Sequence, residues 1–216
     1  MNKRLDLGKE AILPLILKMS WPSIIAMTAM SLYNFIDTFW LARFSSQALA
    51  ALTVCFPIQL LAAAIGVGTG IGAGSFSARM FGAEKNLEAQ KTAGQTFFLS
   101  MLFGFGSILF VLLFGDSMLV FFGASDEILP LSHDYLFLAV YSSPFLFFSM
   151  MTAIMLRVEG RPLLSMNVVL IALISSAILD PFLIFGIGAF PRMGIRGAAL
   201  AGIIAHLIMF ILSLYF

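Results

Sequence analysis

The sequence predicts an all-α membrane protein of six transmembrane helices, and three observations carry that prediction. The 216-residue chain is 61% hydrophobic and 11% charged, with a mean hydropathy of +1.03. A soluble domain has about 45–50% apolar and about 25% charged residues. The apolar residues gather into six stretches of about 20 residues or more, the length a helix needs to cross the hydrocarbon layer. No stretch shows the extended polar–apolar alternation of a transmembrane barrel, whose strands face lipid and lumen in turn. The 23 phenylalanines, against 2 tryptophans and 4 tyrosines, fit a lipid-facing surface; a soluble core of this length would not hide them. A net charge of +1, without clustered basic residues, argues against a nucleic-acid partner.

The first span runs over Leu13–Leu41. Its apolar run exceeds the roughly 7–15 residues of a secretory h-region, so MNKRLDLGKE reads as the flank of a retained helix. Pro22 lies inside this span, where proline removes a backbone bond and favours a kink. It is a candidate hinge, with a fixed bend that fills a packing gap as the equal alternative. The second span, Leu49–Ala78, holds the lone Cys55, read as a small packing residue and not a metal ligand. It also holds GVGTGIGAG, with glycines at spacing four in two phases: Gly66, Gly70 and Gly74, and Gly68 and Gly72. The run lacks the strand–turn–helix context of a nucleotide loop, so close helix packing is the reading.

RMFGAEKNLEAQKT mixes signs and suits a solvated amphipathic turn into the third span, Gly94–Phe114. The segment GDSMLVFFGASDEILPLSH follows, with Asp116, Asp126, Glu127 and Asp134 as ordinary solvated acids and an apolar patch expected along the interface. The fourth, fifth and sixth spans are Leu136–Leu156, Leu163–Phe185 and Gly197–Phe216. In the last, His206 sits mid-span and reads first as a polar packing contact, second as a proton relay.

Basic residues set the orientation. With a cytoplasmic N-terminus the inner side holds Lys3, Arg4, Lys9, Lys18, Arg79, Lys85, Lys91, Arg157 and Arg161, and the outer side only Arg43, Arg192 and Arg196. That distribution predicts N-in and C-in by the positive-inside rule. The chain is then a multi-pass protein of the cytoplasmic (inner) membrane, with the lipid bilayer as its constant partner.

Of eleven acidic residues, only Asp37 and Asp180 fall within spans. A carboxylate at a helix centre costs roughly 2.5–3.5 kcal/mol by insertion scales, and an intramembrane acid is a functional candidate for that reason. Both lie on helices that cross from in to out, each about 9 Å inside the outer end at 1.5 Å per residue. Matched in depth, two carboxylates in one apolar cavity repel each other, and desolvation penalises the charged form of both. Such a pair is suited to hold a proton and release it when water or a cation arrives. The alternative is two structural acids, each hydrogen-bonded to a neighbouring helix. Tyr33, Asn34 and Trp40 share the general face of Asp37, and Ser176 lies one turn before Asp180. Their polar groups are suited to satisfy a carboxylate and equally suited to plain interhelical hydrogen bonds.

The phrases YNFIDTFWLARFSSQALAALTV, GVGTGIGAGSFSARMFGAEK, MLRVEGRPLLSMN and ILDPFLIFGIGAFPRMGIRGAALAG occur in an order that resembles the N-terminal lobe of a multidrug and toxic compound extrusion (MATE) transporter. The likeness is closest to the bacterial and archaeal branch whose first helix carries a proline that can bend. It implies one lobe of a two-lobe, V-shaped transporter, with residues 1–216 a single six-helix lobe and the C-terminal lobe absent from this chain. It also implies secondary active efflux of amphipathic, often cationic, drug-like compounds, driven by proton or sodium entry through alternating access. The resemblance carries the cation-coupling acids to Asp37 and Asp180, the cavity tyrosines to Tyr33 and Tyr135, and the bending proline to Pro22. Two departures bear on the ion. The family often has Asn where this chain has Ser176, and Thr where it has Gly202. Sodium wants several oxygen ligands, so the expectation is proton coupling, with sodium as the alternative and no bound cofactor.

The family needs about twelve spans for two lobes, so the chain is expected to be a fragment of a longer protein, with a half-transporter that pairs with a second copy as the alternative. Two other functions compete. A lipid-linked oligosaccharide flippase of the same superfamily is expected to line its cavity with basic residues for diphosphate, and only Lys18, near an edge, approaches that. A membrane-embedded hydrolase is a further reading of two depth-matched acids, but Asp37 sits in IDT and Asp180 in LDP, without the glycine-flanked aspartates of such enzymes.

Overall fold

The computed structural model describes residues 12–188 and 190–215. Lys3, Arg4 and Lys9, on which part of the orientation argument rests, lie outside the described residues. In chain order the helices are α1 (Ile12–Phe44), α2 (Ser46–Gly82), α3 (Asn86–Phe121), α4 (Leu129–Ala139), α5 (Ser143–Val158), α6 (Pro162–Phe185) and α7 (Ile195–Tyr215). A 3-10 turn, Val140–Ser142, joins α4 to α5, so Leu129–Val158 forms one span and the molecule has six helices long and apolar enough to cross a membrane.

Three expectations are corrected. The segment RMFGAEKNLEAQKT is mostly helix: α2 runs on to Gly82 and α3 starts at Asn86. The turn is closed by Lys85 N–H donating to Met80 O at 2.9 Å, with Glu84 in the left-handed region at φ 60°. The patch expected along the interface after Phe114 is also helix, since α3 continues to Phe121. Hydropathy marks the part of a helix that lipid covers, whereas backbone hydrogen bonding carries the helix on into water. The fourth span is broken where Pro144, which has no N–H to donate, opens α5, and the preceding residues tighten into the 3-10 turn.

The broken span sits at the centre. More than half of its apolar window is buried (56%), against 39% for the next most buried span. α2 and α3 pair with each other and both lie on α5; α4 sits among α2, α3 and α7; α1 packs chiefly on α6, which packs on α7. Small residues permit these approaches. A side chain at Gly104 of α3 would collide with the backbone of Pro144, so the two helices meet main chain to main chain there. In GVGTGIGAG only one phase packs: Gly66, Gly70 and Gly74 face Phe147 and Ile154 of α5, while Gly68 and Gly72 have open space beside them.

The ends of α1 and α6 are locked by aromatic contacts. Trp40 and Phe44 both pack edge-on against Phe185, at ring separations of 5.9 and 6.1 Å. The α6–α7 connection folds back, with Met193 N–H donating to Leu183 O and Gly194 N–H to Ile184 O, each at 3.1 Å. This plug lies above the two intramembrane acids and fixes the register of α1 on α6.

Candidate functional site

Asp37 is 6% exposed and Asp180 is fully buried. Each lies within about two turns of its helix's C-terminal end, Phe44 or Phe185. Because α1 packs along α6, the matched depths become proximity, and the two carboxyl groups are neighbours close enough to influence each other. Ser176 Oγ donates to Asp180 Oδ2 at 3.4 Å. Asp37 Oδ1 and Asp180 Oδ1 are buried with no hydrogen-bond partner. Among the described residues no basic side chain pairs with either acid, and no group of three or more His, Cys, Asp and Glu gathers there as a metal site. Two neighbouring anions without a countercharge are strongly unfavourable away from water. The arrangement therefore calls for a cation, a proton being the smallest.

The phenols complete the cluster. Tyr33 has Asp37, Asp180, Tyr135 and Ser176 as neighbours. Tyr135, from α4, accepts a hydrogen bond from Gln59 Nε2 of α2 at 3.3 Å. Gly202 of α7 makes room: a Cβ there would stand 3.1 Å from the Tyr33 hydroxyl. The position where the resemblance leads one to expect threonine is thus the one against which this chain seats its tyrosine. Cys55 Sγ, also buried, donates to Ser132 O at 3.5 Å and ties α2 to α4, in keeping with a packing role.

The structure brings five of the residues singled out in the sequence together: Asp37, Asp180, Ser176, Tyr33 and Tyr135. It places Asn34 apart. That side chain is exposed, and its amide donates to Met30 O of its own helix at 3.1 Å, so the shared face inferred from spacing is corrected. At about 100° per residue Asn34 lies about 60° to one side of Asp37 and Tyr33 about 40° to the other, and the tyrosine side is the one that meets the acid cluster. Trp40 joins the aromatic plug above the acids instead of touching them. Pro22 is buried within α1, which runs through it as one helix, and Ser23 Oγ donates to Met19 O at 3.0 Å beside it. Gln59 was not anticipated, although an amide in an otherwise apolar span is itself a signal.

A small cleft of about 20 Å³, room for about one water, lies beside the cluster, lined by Ala29, Met30 and Tyr33 of α1, Val169, Ala172 and Leu173 of α6, and Ala205, His206 and Met209 of α7.

Comparison with known proteins places this geometry. Residues 22–182 match the MatE family. The chain is similar to the FAD transporter of Shewanella oneidensis, at 31% identity over all of this chain and 48% of that protein. It is also similar to the multidrug export protein MepA of Staphylococcus haemolyticus, at 26% identity over 93% of this chain and 44% of that protein. Among solved structures it resembles a MOP superfamily transporter from Pyrococcus furiosus Vc1, with a TM-score of 0.85 and 27% identity over 93% of this chain and 44% of that one. The chain thus spans about half the length of the curated relatives it matches. Family membership sets aside the hydrolase reading, since these proteins are transporters and not enzymes. With six membrane-length helices, the neighbouring acids of α1 and α6 and a family match across most of its length, the chain is a multi-pass membrane protein that belongs to the MatE family and forms one six-helix lobe of its fold.

Proposed function

We propose that this lobe serves secondary active export of small organic compounds across the cytoplasmic membrane, coupled to proton entry at Asp37 and Asp180. The observation that carries the reading is the pair itself: two buried carboxyls are neighbours, one oxygen of each is unpartnered, and among the described residues no basic side chain balances them. Protonation removes the cost of the neighbouring charges, and loss of the proton restores it. The occupied and empty pair therefore favour different packings of α1 on α6. Pro22 interrupts the hydrogen-bond ladder of α1 and is the residue at which that helix would bend. Proton coupling is preferred to sodium because Ser176 and Gly202 supply one hydroxyl where an amide and a second hydroxyl would enrich the ligand set.

The energetics suffice. A membrane potential supplies about 2.3 kcal/mol per charge per 100 mV, and one pH unit about 1.4 kcal/mol. One proton then sustains a substrate gradient of a few hundred-fold at about 1.4 kcal/mol per tenfold. Alternating access needs a second repeat to rock against, so export requires a complementary lobe or a second copy. The chain reconstituted without one is expected to insert, since its backbone groups are satisfied within each helix, and to export nothing.

Amphipathic or cationic drug-like compounds are the first substrate class. A flavin dinucleotide is the second, supported by the Shewanella relative. The test is export from vesicles that hold the lobe with its complement, with pH and sodium gradients imposed separately and a cationic dye or FAD as cargo. The proposal expects export that follows the pH gradient and persists without sodium. Strict sodium dependence would refute the choice of ion, and export of FAD alone would replace the substrate class.

A further inference from the structure

We propose that the cleft between α1, α6 and α7 is the proton's route to the Asp37–Asp180 pair, entered at His206 and continued through Tyr33 and Ser176. The inference rests on the proton-coupling reading above and adds to it a path and a residue, His206, that the coupling site does not itself require.

Four observations converge on it. Tyr33 and His206 are the titratable groups of the cleft; the walls contributed by Ala172, Leu173 and Met209 are apolar. His206 Nδ1 is buried and has no hydrogen-bond partner, and an orphaned ring nitrogen among apolar walls is costly unless a water or a proton satisfies it. The His206 and Tyr33 rings are neighbours, with centres 6.2 Å apart and a tilt of 38°, and the route calls for one water between ring nitrogen and hydroxyl. From Tyr33 the connection continues: Ser176 lies beside it, and Ser176 Oγ donates to Asp180 Oδ2 at 3.4 Å.

Gly202 explains why the phenol can lie there. It precedes His206 by one turn of α7, and any side chain on it would press on the Tyr33 hydroxyl at 3.1 Å. One stretch of α7 therefore offers a space for the hydroxyl and a ring for the phenol to lie against. The transfer balances without a further reactant. A proton taken up on His206 Nε2 frees the one on Nδ1, which passes through the bridging water to Tyr33 Oη, as Tyr33 gives its own to Ser176 Oγ and Ser176 gives its own to the carboxyl. Only O–H and N–H bonds form and break. His206 touches neither acid, so it acts through Tyr33 and governs the rate at which the pair fills, not how many protons it holds.

The experiment is a stopped-flow pH jump on the purified chain in lipid nanodiscs, with a pH-indicator dye in solution. The amplitude lost in Asp37→Asn defines the pair's own uptake. His206→Ala is expected to slow that phase by about tenfold or more, within the range of positioned proton transfer, at unchanged amplitude. Added imidazole, entering the space left in the cleft, is expected to restore the rate. His206→Gln, which keeps the polarity and most of the volume, is expected to be slow and not rescued. Wild-type rates in both variants would overturn the route, and so would a slow His206→Ala that imidazole leaves slow. Absence of any Asp37-dependent uptake in the wild type would overturn the coupling reading itself, a result distinct from either.

Discussion

Four of this chain's aspartates divide into two kinds. Asp116 and Asp134 each have a nitrogen partner at 2.7 Å: His133 Nδ1 for the first and the Arg196 guanidinium for the second. These pairs join α3 and α7 to α4, all four side chains are solvent-accessible, and such pairs are screened and weak. Asp37 and Asp180 also lie on packed helices, yet among the described residues neither has a basic partner and each has the other acid beside it. The same residue type serves attachment where a countercharge is built in. Where no such partner is supplied and water is excluded, two charged carboxylates are costly, and the proposed role of Asp37 and Asp180 as a proton-binding pair rests on that difference.

The largest expected effect separates the two kinds by substitution. Asp37→Asn and Asp180→Asn keep shape and polarity but carry no exchangeable charge. Each should lower gradient-driven export about a hundredfold or more, the scale of a lost proton-transfer group, with membrane insertion intact. Asp116→Asn and Asp134→Asn should leave export within about twofold, as for screened surface pairs. Transport assays in vesicles, normalised to inserted protein, check both halves. Full export by Asp37→Asn would erase the distinction.

Next in size is an effect on stability away from the acids. Gly104→Ala places a methyl against the Pro144 backbone and should destabilise by about 1–3 kcal/mol, as overpacking does. Gly68→Ala, with open space beside it, should be neutral or stabilising by up to about 1 kcal/mol through helix propensity. Thermal unfolding in one detergent compares them. Equal effects would show that the central broken span does not set the packing of α3. Smallest of all, Asp134→Asn and Arg196→Ala should leave the unfolding midpoint unmoved, and a clear drop would promote that pair to a structural clamp.

The sequence disclosed the acids because charge inside a lipid-length apolar run is conspicuous, and helical periodicity added Tyr33 and Ser176. It did not disclose which side of α1 meets the acid cluster, since Asn34 and Tyr33 flank Asp37 on its two sides and only the packed helix chooses. Gln59, Gly202 and His206 share that difficulty. Each matters through a partner on another helix: Tyr135 for Gln59, Tyr33 for the other two. The six spans were legible from hydropathy, whereas the break before Pro144 and the long extensions of α2 and α3 arise from backbone hydrogen bonding that hydropathy does not report.

The central claim is that Asp37 and Asp180 exchange a proton as a pair. Proton release on substrate addition, read with an indicator dye in weakly buffered solution of the assembled transporter, tests it most directly. The account predicts a release that disappears in Asp37→Asn and in Asp180→Asn and persists in Asp116→Asn. Undiminished release in Asp37→Asn and Asp180→Asn would contradict it.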